Sequence, residues 1–96
     1  MEEEKFYSVQ ELTRDIKYLL ESTYPSIWVQ GEISNFMHHS SGHMYFSLKD
    51  EHAQISCAMW RTRNLNLFFT PQNGMKVTIN GHLSVFEKRG SYQLNV

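Results

Sequence analysis

Ser41-Gly42-His43-Met44-Tyr45-Phe46-Ser47-Leu48-Lys49-Asp50 decides the fold. Met44, Phe46 and Leu48 alternate with His43, Tyr45, Ser47 and Lys49, the two-residue period of a strand with one buried face. Asp50-Glu51-His52-Ala53 is a short polar break, and Gln54-Ile55-Ser56-Cys57-Ala58-Met59-Trp60 then alternates again. The two runs predict a β-hairpin with Met44, Phe46, Leu48, Ile55, Cys57 and Met59 inside. Its outer face carries hydroxyls, amides, aromatics and Lys49. A hairpin that is apolar within and aromatic and hydrogen-bonding without suits a small barrel that holds a polar polymer against its wall.

Upstream, Ile27 to Ser34 reads as a strand with Ile27, Val29 and Ile33 on one side and Trp28, Gln30 and Glu32 on the other. Gly31 falls on the inward phase, where a missing side chain lets a strand bend. A long, bent first strand can pair with two different neighbours, as barrel closure requires. Residues 35–42 form the loop into the hairpin. Further upstream, Ser8 and Glu11 match a capping box, and Val9, Leu12, Ile16, Leu19 and Leu20 follow helical spacing. The helix, about 8–23, should stop before Pro25. Its narrow apolar stripe suits docking on the end of the barrel or on a partner, the former being the plainer reading.

Downstream, Leu65, Phe68 and Phe69 at helical spacing predict a short helix from Arg61 to Phe69, ended by Pro71. Asn73-Gly74 is a turn. Met75 to Phe86 alternates, with Val77, Ile79, Leu83 and Val85 inward and Gly81 as a second bend. Glu87-Lys88-Arg89-Gly90 reads as a hairpin turn, and Ser91 to Val96 as the last strand. The order strand, strand, strand, short helix, strand, strand is that of an OB-fold, a five-stranded Greek-key barrel. Barrel and helix together make one domain, 1–96, with the barrel at about 27–96.

Composition is compatible with such a domain. The net charge is −1, but residues 1–32 carry three basic and seven acidic side chains, whereas residues 33–96 carry six basic and three acidic ones. The second part, which also holds all five histidines, can present a mildly electropositive face. A single cysteine rules out an internal disulfide and fits a reducing cytoplasm. No apolar run reaches membrane-spanning length, and the acidic start Met1-Glu2-Glu3-Glu4 does not resemble a signal peptide. A cytoplasmic protein without a membrane partner is the expectation.

Four stretches in one order carry a resemblance: Ser8-Val9-Gln10-Glu11-Leu12; Trp28-Val29-Gln30-Gly31-Glu32-Ile33-Ser34-Asn35-Phe36; the Ser41–Asp50 string; and Gly74-Met75-Lys76-Val77 through Gly81. Together they resemble the N-terminal OB-fold domain of the large subunit of bacterial exodeoxyribonuclease VII, from Tyr7 to Val96. The resemblance implies a domain excised from a longer chain. It implies a parent nuclease, built with several copies of a small subunit, that degrades single-stranded DNA to oligonucleotides. It also implies that this domain binds the strand and leaves hydrolysis to the remaining domains of the large subunit.

Single strands are held by aromatic platforms for bases and cations for phosphates. OB-folds use the face of strands two and three and the loops joining strands one–two and four–five. Those loops carry Phe36, His38 and His39, and Phe86, Lys88 and Arg89. His43, Tyr45, Lys49 and Trp60 lie on the outward phase between them, with Arg61 and Arg63 just beyond. Each has a plainer reading. Tyr45 can pair across the sheet, Trp60 can be structural, and Phe36 and Phe86 can cover the barrel rim. Lys88 and Arg89 can be merely solvated, and Arg61 and Arg63 can pair with Asp50 or Glu51. The histidines match no zinc-ligand spacing, so neither metal nor cofactor is expected. No carboxylate cluster or nucleophile–base pair is readable, so this chain is expected to be non-catalytic. Two other readings remain: an assembly module of the same subunit, and an RNA-binding OB module.

Overall fold

The computed structural model describes residues 4, 6–65, 67 and 69–96. Its elements are α1 (Val9–Thr23), β1 (Ile27–His38), β2 (Met44–Lys49), β3 (Gln54–Met59), α2 (Arg61–Asn64), β4 (Lys76–Phe86) and β5 (Ser91–Asn95). The strands close in the order β1-β2-β3-β5-β4, the OB-fold barrel expected. β2 and β3 pair in register from Met44↔Met59 to Lys49↔Gln54. Asp50 shapes their turn: its Oδ1 accepts the backbone N–H groups of His52 (2.8 Å) and Ala53 (2.9 Å). Those bonds hold the exposed Asp50 carboxyl below its ordinary pKa.

Two glycines let two strands each serve two neighbours. β1 pairs with β4 from Ile27 to Glu32 and with β2 from Glu32 to His38. At the crossover a Cβ on Gly31 would stand 2.7 Å from Leu48 Cγ and 2.9 Å from the Lys49 carbonyl oxygen. β4 pairs with β1 up to Gly81 and with β5 from His82. A Cβ on Gly81 would lie 2.5 Å from the Asn95 carbonyl oxygen. Side chains at these positions would push the barrel wall apart. Behind it lies the core of Ile33, Phe46, Leu48, Cys57, Leu83 and Leu94. Burial pushes the Cys57 thiol up to about 12, so it stays protonated.

Two sequence expectations change. β1 does not stop at Ser34 but runs to His38. Asn35 adopts a left-handed φ of 53°, and the register with β2 slips between Ser34 and Met37. This bulge reverses the alternation, turning Phe36 onto the core and Met37 outward. The loop to β2 is correspondingly short. Among the described residues α2 likewise covers only Arg61–Asn64 and not the expected Arg61–Phe69, of which Asn66 and Phe68 lie outside the described residues. Its Ncap, Trp60, makes no side-chain cap bond, and Asn64 turns its amide onto the Gly42 carbonyl (2.8 Å). The helix therefore lacks a side-chain cap at one end and is drawn into a loop contact at the other.

α1 starts as expected: Ser8 Oγ accepts the Glu11 N–H (3.0 Å), and Glu11 Oε1 accepts the Ser8 N–H (3.2 Å). It meets the barrel through its second half, where Leu20 packs on the core. Beyond Gly81, β4 has left β1 and its outer edge lacks a strand. Elements of the helix and its exit take that place. The Tyr24 carbonyl accepts the Leu83 N–H (3.1 Å), Glu21 Oε2 accepts the Val85 N–H (2.9 Å), and Lys17 Nζ donates to the Val85 carbonyl (3.3 Å). Lys17 and Glu21 are themselves paired at 2.7 Å. An otherwise open strand edge is thereby closed by two side chains and a loop. Among the described residues no helix is long and apolar enough to cross a membrane.

Candidate nucleic-acid interface

The twist of the β2–β3 hairpin brings its outward aromatics toward the β4–β5 turn. Between them runs an open trough of about 690 Å³. Tyr45 and Trp60 form one bank; Phe86, Glu87, Lys88 and Arg89 form the other, with Lys17, Val85 and Gln93 completing it. The second bank stands up because residues 87–90 make a tight turn: Gly90 sits at φ 62°, and the Arg89 and Gly90 N–H groups donate to the Phe86 carbonyl. Phe86 is 43 % exposed and Tyr45 36 %, while Trp60 is half-buried. All three rings are therefore reachable from solvent.

The first bank is braced by a file of rings. His39 meets Tyr45 edge-on at 6.4 Å, Tyr45 meets Trp60 at 6.1 Å, and Trp60 meets His43 at 5.2 Å. Edge-to-face contacts of this kind orient rings as well as stabilise them. His43 is fixed in turn, since its Nδ1 accepts the Arg61 N–H at 2.9 Å. His39 Nδ1 accepts the Ser41 N–H at 3.0 Å, tying the loop between β1 and β2 to the same file. Gly42, at φ 93°, leaves room for the Arg61 stem, which a Cβ there would meet at 2.9 Å.

The structure gathers some of the sequence candidates and separates others. Tyr45, Trp60, Phe86, Lys88 and Arg89 share the trough, and His39 and His43 buttress it. Arg61 and Arg63 flank it on α2, exposed; no ion pair to Asp50 or Glu51 is seen among the described residues. His38 is exposed at the end of β1. Phe36 is half-buried against the core, with its N–H donating to Asn73 Oδ1 (2.9 Å). Lys49 lies apart, paired with Glu32 at 3.7 Å in a second concavity lined also by Asp50, Glu51 and Lys76. That hollow is the larger, about 800 Å³, but its lack of rings offers no platform for a base.

Two trough residues escaped the sequence reading. Gln93 sits in the short last strand. Lys17 belongs to α1, and only the docking of that helix brings its ammonium beside Lys88 and Arg89. Its bond to Glu21 holds that carboxyl below the ordinary glutamate pKa, helped by the Val85 N–H. Lys17 does carry a signal, because Lys–Glu in that order is the weaker i, i+4 arrangement and an acid in the last helical turn opposes the helix dipole. A pair that local rules disfavour points to a tertiary use. Among the described residues, no three His, Cys, Asp or Glu side chains converge as metal ligands.

The fold has parallels. A family model described as an OB-fold nucleic acid binding domain matches residues 7–96. The exodeoxyribonuclease 7 large subunit of Salinibacter ruber is 52 % identical over 91 % of the chain, and that of Natranaerobius thermophilus 52 % over 97 %. The Haemophilus influenzae protein of the same name is 48 % identical over 95 %. The chain spans only about a fifth of the length of these relatives, 21–22 %. A solved replication protein A heterotrimer bound to single-stranded DNA superposes with a TM-score of 0.58 over 73 % of this chain and 51 % of that one. At 16 % identity it supports the fold alone.

Proposed function

Since the chain belongs to the family of OB-fold nucleic acid binding domains, we propose that it grips single-stranded DNA for the large subunit of an exodeoxyribonuclease VII. In this reading the strand lies in the trough, with bases against Tyr45, Trp60 and Phe86 and phosphates toward Lys17, Lys88 and Arg89. The observation that carries it is this convergence on one channel of three accessible rings and three cations, Lys17 among them paired with Glu21, with Glu87 also on the lining. Stacking supplies about 1–3 kcal/mol per base without reading sequence, as a processive or indiscriminate nuclease requires. A duplex would fit the geometry less well, because paired bases cannot turn their faces to the rings.

The relatives named above are about five times longer, and hydrolysis is assigned to the parts of such a parent beyond this domain. The domain's role is to hold the substrate, with the rest of the large subunit and the small subunits as assembly partners in the cytoplasm. Titration of the chain with fluorescent oligo-dT tests this. With three cations engaged, log K should fall against log salt with a slope of about −2. Equal affinity for duplex, or no salt slope, would overturn the proposal. Preference for a matched RNA strand would transfer the same trough to RNA.

A further inference from the structure

Trp60 stands between two elements and belongs to neither. The last β2–β3 ladder pair, Met44↔Met59, falls one residue short of it. It then serves as Ncap of a helix of only four residues, without a side-chain cap bond. Yet its indole is one of the rings lining the trough. A ring free to swivel must be immobilised on binding, and that ordering offsets part of what stacking supplies. Whatever holds Trp60 therefore governs its use as a platform.

Both peptide units flanking Trp60 are tied by side chains. On the far side, His43 Nδ1 accepts the Arg61 N–H at 2.9 Å, across 18 residues of sequence. The same imidazole meets the indole edge-on at 5.2 Å. On the near side, the half-buried Asn64 donates through Nδ2 to the Met59 carbonyl at 3.4 Å. That amide also donates to the Gly42 carbonyl at 2.8 Å, 22 residues away. The Trp60 carbonyl accepts the Arg63 and Asn64 N–H groups at 2.8 and 3.1 Å, which folds Asn64 back toward the loop.

We propose that His43 and Asn64 are positioning residues for strand recognition: they latch the loop between β1 and β2 onto α2 and thereby hold Trp60 as a fixed platform. This role presupposes that the trough holds a single strand. Neither side chain lines the trough, so each acts through Trp60. The two bonds are chemically independent, one using an acceptor on His43 and the other a donor on Asn64. They converge on one ring, so losing either should loosen the same platform. The cations of the trough take no part in the latch, which separates its effect from that of phosphate contacts.

Trp28→Phe leaves Trp60 as the sole tryptophan and lies outside the trough, so it serves as the background. Without DNA, the fluorescence anisotropy decay of Trp60 should gain a fast local component in His43→Ala and in Asn64→Ala. Each should bind fluorescent oligo-dT about 3- to 10-fold more weakly, the loss expected when one side chain is left to be ordered on binding. The salt slope should stay that of the background, since no cation is removed. Asparagine Oδ1 stands on Cγ as histidine Nδ1 does, so His43→Asn keeps an acceptor for the Arg61 N–H. It should bind about threefold more tightly than His43→Ala. The double variant should lose little beyond the larger single loss. Should His43→Ala not fold, Asn64→Ala, which alters no ring, carries both measurements. A loosened Trp60 with unchanged binding overturns the proposal, as does weakened binding with Trp60 still rigid. If the background chain fails to prefer oligo-dT over duplex, the strand-binding reading fails and this role with it. Binding that is intact but indifferent to every variant overturns this role alone.

Discussion

Replacing Glu21 tests whether a helix can stand in for a strand. In Glu21→Ala the Val85 N–H loses a charged acceptor at 2.9 Å, and Lys17 loses its partner at 2.7 Å. A hydrogen bond to a charged group contributes about 1.5–3 kcal/mol when buried. The Glu21 side chain is 33 % exposed, so water can partly replace it and the lower end applies. The surface ion pair adds about 0.3–0.5 kcal/mol. The expected loss is about 1.5–2 kcal/mol, and a domain of this size should then melt roughly 6–15 °C lower.

Urea unfolding at several pH values separates the charge from the hydrogen bond. Folding depresses the Glu21 pKa, first through Lys17 and then through the Val85 N–H. Its contribution is thus complete above the unfolded value, about 4.3, and disappears as pH falls through the lower folded value. Glu21→Gln keeps an acceptor for Val85 but lacks the charge. The gap between wild type and Glu21→Gln should be open at pH 7 and close in acid. A Glu21→Ala variant within about 0.3 kcal/mol of wild type, well under the expected mutational effect, would refute the argument. So would a Gln gap that ignores pH.

Tyr45→Ala and Phe86→Ala should each weaken oligo-dT binding about 5- to 150-fold, matching about 1–3 kcal/mol of stacking, with unchanged melting for Phe86→Ala; fluorescence anisotropy reads this. Lys88→Ala with Arg89→Ala should flatten the salt slope by about 1.4, whereas Lys49→Ala, outside the trough, should leave it unchanged. Gly81→Ala should destabilise by about 1–3 kcal/mol in urea unfolding, because its Cβ would collide with the Asn95 carbonyl. Cys57, its thiol pushed up to about 12, should resist a thiol reagent at pH 8 until urea opens the barrel.

Alternation made the barrel legible: β2, the later half of β4 and the first half of β1 each keep one parity from end to end, and β3 keeps it until Ala58, which is buried on the outward phase. Gly31 and Gly81 were readable as bends because a missing side chain on the inward phase has few other uses. Where parity broke, the reading failed. The bulge at Asn35 shifts Phe36 inward by one residue, so the strand seemed to end there. The site was half legible for a related reason. Tyr45, Trp60, Lys88 and Arg89 follow from strand phase and turn position, both local. Lys17 enters through a contact 68 residues distant, and Lys49 drops out because it sits at the far end of a strand whose near end carries Tyr45.

The anchors of α1 also set an order of events. They join residues 64 and 68 positions apart, so the first helix made has nowhere to rest until β4 exists. A lone segment of 15 residues is only marginally helical in water. On this basis the helix should form stably only with the sheet in place, and on partial opening it should peel away ahead of the barrel. Amides of α1 should exchange with deuterium through that partial opening, sooner than those of the strands beneath.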